Sequence, residues 1–151
     1  MSKEQLVELQ RQHNAGQLKY TYFLLAAAGA AIAFSVQKTM GYKLSYSMIP
    51  LGLANISWSL SFYLGCKSVN AIQSAMQSNY RLLELAYGYH QSQPDTDAEL
   101  DIALDKTREA CERKIETAHK FDIWQFRTLI IGAVLFIAWH ITEMALVGSK
   151  P

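Results

Sequence analysis

The sequence predicts an all-α membrane protein: three transmembrane helices, the second and third extended into a cytoplasmic antiparallel helical hairpin. Three observations carry this. Residues 20–37, 48–66 and 128–147 are apolar runs close to the ~20 residues that cross a bilayer as helix. Between the second and third runs lie about sixty residues of polar sequence with helical periodicity. The cationic residues are distributed unevenly among the segments that flank the runs.

The chain divides accordingly into residues 1–19, a transmembrane hairpin over 20–66, a cytoplasmic hairpin over 67–125, and a closing span with a short external tail over 126–151. In the first segment Leu6, Leu9, His13 and Leu18 fall along one weakly amphipathic face, expected at the inner membrane surface or against the hairpin. The small residues from Ala26 to Ala33 resemble signal-peptide cleavage sites. Against cleavage, nineteen residues, Glu4 and Glu8 among them, precede the run. Ala26, Ala30 and Ala33 repeat on one helical face, a small-xxx-small pattern suited to close helix contact.

The second run carries Asn55, Ser57, Ser59 and Ser61 where hydrocarbon is expected. Lipid cannot satisfy these groups, so at least one face must meet protein or water. Gly52, Asn55, Ser59 and Cys66 share one side of a helix, and Ser57 and Ser61 lie nearly opposite. Asn55 and Ser59 are therefore candidates for a pore lining or subunit interface. Serines that only bond back to their own helix are the plainer alternative.

Beyond Cys66 no breaker intervenes, and Val69, Ile72, Met76, Tyr80, Leu83 and Tyr87 continue at helical spacing. The helix is expected to run on to about residue 87, roughly 30 Å past the membrane at ~1.5 Å per residue. From residue 68 to 80 this arm carries no charge. It offers neutral polar groups instead, with Gln73 and Gln77 as candidate interface residues. Its own returning arm would cover one side, and a neighbouring subunit or a water-filled vestibule the other.

A turn follows at residues 88–94, and Thr96-Asp-Ala-Glu99 forms a capping box that restarts the helix. Leu100, Leu104, Thr107, Cys111, Ile115 and Ala118 make its apolar stripe, with Glu109–Arg113 and Glu116–Lys120 as outer i, i+4 pairs. In such a hairpin Cys111 lies level with about residue 75 and Cys66 with about residue 120. The two cysteines should therefore remain reduced.

The closing run contains His140 and Glu143, three residues apart and hence on one face. An ionisable pair inside a membrane is a candidate proton or cation site. The plainer reading is a helix end whose Glu143 reaches outward to water.

Charge sets the expected orientation. Lys3, Arg11 and Lys19 precede the first run, and Lys38 and Lys43 occupy the first link. Lys67, Arg81, Lys106, Arg108, Arg113, Lys114, Lys120 and Arg127 lie in the long excursion, and Lys150 follows the last run. The positive-inside bias puts the N-terminus and the excursion in the cytoplasm and the C-terminus outside. The compact layout and the lack of a targeting segment suggest a bacterial inner membrane.

Fourteen cationic residues against thirteen anionic ones leave a net charge of +1, too little excess for nucleic acid to be a main partner. No metal-ligand spacing or cofactor motif is visible. Arg113 and His119 share the R-x5-H spacing that resembles the catalytic signature of HEPN ribonucleases. Six residues apart on a straight helix, however, the side chains diverge by about 120°. Lys114 also replaces the polar residue usual after the arginine. No enzyme is expected. The expected function is a homo-oligomeric membrane assembly that forms or gates a pore. The alternative is a non-conducting scaffold or accessory subunit whose cytoplasmic hairpin recruits a soluble partner.

Overall fold

The computed structural model describes residues 3–41 and 45–148, with side chains over 15–41 and 45–145. Among these residues the protein is all-helical: α1 (Lys3–Thr39), a single 3-10 turn (Tyr46–Met48), α2 (Ile49–Ala86) and α3 (Asp97–Gly148). Two of the helices contain a stretch long and apolar enough to cross a membrane, Ala15–Thr39 and Asp97–Ala145. The expected crossing over residues 48–66 is not among them, because Asn55, Ser57, Ser59 and Ser61 dilute its hydropathy.

The N-terminal segment continues directly into the first apolar run. α1 is unbroken from Lys3, since the stretch has no proline and a lone Gly16 costs a helix only about 1 kcal/mol. The side chains of Leu6, Leu9 and His13, like Lys43, lie outside the described residues. α1 gives way to Gly41, whose φ of +88° favours glycine. Pro50 is accommodated in the first turn of α2, where its missing N–H has no intrahelical acceptor.

α2 ends in a Schellman motif. Gly88 has φ +76°; its N–H donates to the Leu85 carbonyl at 3.3 Å and that of Tyr89 to the Glu84 carbonyl at 2.9 Å. Thr96 caps α3 as its sequence implies, accepting the Glu99 N–H at 3.4 Å.

The chain forms two compact units, residues 1–66 with 122–151, and residues 67–121. In the first, α1 turns inward not Ala26, Ala30 and Ala33, which are exposed, but Thr21, Leu24, Ala28 and Ser35. Two hydroxyls of this face reach another helix while also facing a carbonyl of their own: Thr21 Oγ1 lies 3.1 Å from both Asp122 Oδ1 and the Gln17 carbonyl, and the Ser35 hydroxyl meets Asn55 Oδ1 and the Ile32 carbonyl. α2 contributes Leu51, Ala54, Trp58, Ser61 and Gly65, and α3 contributes Gln125, Thr128, Gly132 and Trp139. Phe136 stacks among Phe34, Trp58 and Trp139, with ring centroids 5.6–6.0 Å apart.

In the second unit the residue numbers run in opposite senses. The Ser68 hydroxyl donates to the Ala118 carbonyl at 3.3 Å, and the Cys111 thiol to the Ala75 carbonyl at 3.5 Å. The inward residues of α2 here are Ser68, Ala75, Ser78 and Leu85. The apolar stripe that periodicity marks as one helix face turns away from α3: Met76, Tyr80, Leu83 and Tyr87 are 56%, 61%, 47% and 72% exposed. Ile115 of the stripe on α3 is exposed as well. Alanine and serine let two helix backbones approach closely enough for side chain-to-carbonyl bonds, and bulkier side chains would hold them apart. On the outer face, Lys120 bonds Glu116 at 2.8 Å and holds its carboxyl below the ordinary range.

Candidate functional site

The densest polar arrangement in the first unit joins α2 to α3. The Ser57 hydroxyl donates to the Thr128 carbonyl at 2.7 Å, and the Ser61 hydroxyl to the Gln125 carbonyl at 2.8 Å. The Trp58 indole N–H donates to the Leu129 carbonyl at 3.2 Å. These carbonyls belong to α3 itself, so each accepts a further bond from across the contact. Ser57 and Ser61 thus join helices and do not fold back on their own turn.

Packing reinforces the ladder twice, in opposite directions. The indole of Trp58 lies over Gly132, where an added Cβ would come 2.5 Å from the indole Cδ1. Seven residues along each helix the roles reverse. The Gln125 side chain lies over Gly65, where a Cβ would come 2.8 Å from Gln125 Cδ and 2.8 Å from Leu25 Cδ2. A large residue on each helix occupies the gap left by a glycine on the other.

Gln125 is completely buried, yet its Nε2 and Oε1 have no hydrogen-bond partner. It stands one turn from Asp122, which takes the Thr21 hydroxyl.

The residues singled out by sequence separate. Asn55 is half-buried, accepting from Ser35 and donating to its own Leu51 carbonyl at 3.1 Å. Ser59 is exposed, as are Gly52 and Cys66 at seven-residue spacing from it. Gln73 and Gln77 are exposed in the second unit. Ser74 and Ser78 on the same arm are engaged: Lys114 Nζ donates to the Ser74 carbonyl at 3.2 Å and the Ser78 hydroxyl at 2.7 Å. A returning-arm cation therefore covers part of the uncharged arm.

At the other end of the first unit, the Ser47 hydroxyl donates to Glu143 Oε1 at 2.6 Å. Glu143 thereby ties α3 to the 3-10 turn before α2, while His140 is exposed, its ring 6.3 Å from that of Trp139. Both cysteines are free thiols. Among the described residues no group of three or more His, Cys, Asp and Glu side chains could hold a metal ion.

Sequence reading missed Gln125, the two glycine gaps, Ser35 and Lys114. The spacing that ties them was present: Trp58 and Gly65 are seven apart, as are Gln125 and Gly132. Its meaning depends on which glycine faces which side chain. No known protein family, characterised protein or solved structure matches this chain.

Proposed function

We propose that this chain is a small integral membrane protein with three transmembrane helices. In this reading it assembles as a homo-oligomer and serves as a non-conducting scaffold or accessory subunit. Its second and third helices extend as a cytoplasmic antiparallel hairpin that recruits a soluble partner. The observation that carries this is the apolar outer surface of the first unit. Phe23, Ile56, Val134, Ile137 and Ile141 are exposed, while Thr21, Ser35, Ser61, Gln125 and Thr128 are buried beside Leu24, Leu51, Trp58 and Trp139. Lipid favours such a surface, and polar side chains held between helices spare it. The charge bias supports a cytoplasmic N-terminus and an external C-terminus.

A pore is the second reading, favoured by the exposed line of Gly52, Ser59 and Cys66. The scaffold has the stronger support because Asn55, Ser57 and Ser61 use their hydrogen-bonding capacity within the chain.

The test is mass in mild detergent together with ion flux in liposomes. An oligomer without flux, whose partner capture is lost on deleting residues 68–120 while insertion persists, is the expected result. Flux that Ser59→Leu abolishes would instead favour the pore. A monomer in detergent would overturn both.

A further inference from the structure

The outward stripe of α2 in the second unit needs an occupant. Val69, Met76 and Leu83 recur every seven residues, and Gln73, Tyr80 and Tyr87 recur in the same way, offset by four. Two interleaved seven-residue rows on one helix form the seam of a left-handed two-stranded coil. Met76, Tyr80, Leu83 and Tyr87 are exposed on this seam, away from the Ser68, Ala75, Ser78 and Leu85 side that meets α3. Four large side chains in line on a water-facing helix are a poor surface for a monomer.

We propose that the seam pairs with the same seam of a second copy, the two α2 helices running parallel and in register. This rests on the membrane reading above. Two copies inserted in one bilayer with the same topology can bring their α2 helices together in parallel.

In a parallel two-fold pair each seam residue lies opposite itself, so a charge there would face its own like charge. The six seam residues carry none, and the neighbouring Asn70, Gln77 and Asn79 are neutral and exposed. Glu84 flanks the seam at the position equivalent to Gln77, half-buried, and Arg81 lies farther off it. An acidic peptide, a nucleic acid or an anionic lipid surface would call for complementary charge, and the seam offers none. A surface complementary in charge to itself, on a helix held in one orientation, fits a second copy.

Gln73 then acquires a role: a neutral polar residue within the seam that sets register at some cost in stability. The exposure of this face also follows, since small inward residues at Ser68, Ala75 and Ser78 release the large ones for contact between copies.

The experiment uses the full chain in native membranes, with Cys66→Ala and Cys111→Ala as background. Met76→Cys and Leu83→Cys, each introduced singly, should give disulfide-linked dimers on mild oxidation. Ile102→Cys and Ile115→Cys, exposed on α3, should not. Met76→Asp should weaken association about tenfold or more with helicity retained, because two like charges then face each other. Ile115→Asp should not. An integral chain that fails to link at positions 76 and 83, or links equally at 102 and 115, would overturn the parallel seam while leaving the membrane reading intact. Recovery in the soluble fraction after an alkaline wash would overturn the membrane reading and the parallel constraint together.

Discussion

Trp58 occupies the space that any side chain at Gly132 would need: an added Cβ would lie 2.5 Å from its indole Cδ1 and 3.0 Å from Cε2. The indole is rigid and anchored by its N–H to the Leu129 carbonyl, so it cannot yield as a flexible chain end would. Gly132→Ala is expected to destabilise the protein by about 1–3 kcal/mol, the usual cost of overpacking a tight contact. Thermal unfolding in detergent measures it. Adding Trp58→Leu should recover part of the loss, and simple additivity of the two changes would show that they do not share a contact.

Gln125 presents the opposite case, a polar residue whose burial is not compensated. Its amide has neither of its polar atoms bonded. Gln125→Leu keeps the volume and removes the desolvation cost, so a stability gain of about 1 kcal/mol is expected. Gln125→Glu should do the reverse, since it places an unpaired charge there. A loss with leucine as large as that with glutamate would mean that the amide has a partner of its own.

The serines of α2 should divide by partner and not by position along the helix. Ser57→Ala and Ser61→Ala each remove a bond to α3 and should cost about 0.6 kcal/mol apiece, typical of interhelical bonds in membranes. Ser59→Ala should be silent in the same unfolding assay because that side chain is exposed. The reverse order would make Ser59 the structural residue.

In the second unit Lys114 bonds the opposite arm twice. Lys114→Met should loosen residues 74–86, with the local opening free energy reduced by about 1–2 kcal/mol. Hydrogen exchange reports this directly. Faster exchange spread evenly over α1 as well would point to global destabilisation instead.

The end of α2 and the start of α3 were legible in sequence because their causes are local. Thr96 and Glu99 make a cap wherever they occur in that order before a helix, and Gly88 stops a helix by its own backbone freedom. The expected level of Cys111 with residue 75 also needed only a turn position and the helical rise.

The inward faces were not legible. Periodicity marks Met76, Tyr80, Leu83 and Tyr87 as one face but not which way that face turns. Ala26, Ala30 and Ala33 likewise form a small-residue face that the helix leaves exposed. Asn55 was singled out for its polarity, and its partner Ser35 sits on another helix, twenty residues earlier in sequence.

The sequence by itself determined that this chain is helical, where the helices cap and turn, and how charge is distributed along it. Each of these depends on residues within a turn or two of one another. Only the tertiary structure decided that Trp58 meets Gly132 and Gln125 meets Gly65, that Glu143 bonds Ser47, and that α2 in the second unit turns Ser68, Ala75 and Ser78 inward and Met76, Tyr80, Leu83 and Tyr87 outward. Those outcomes depend on how closely two backbones can approach, and that distance is set by pairs of residues far apart in the chain.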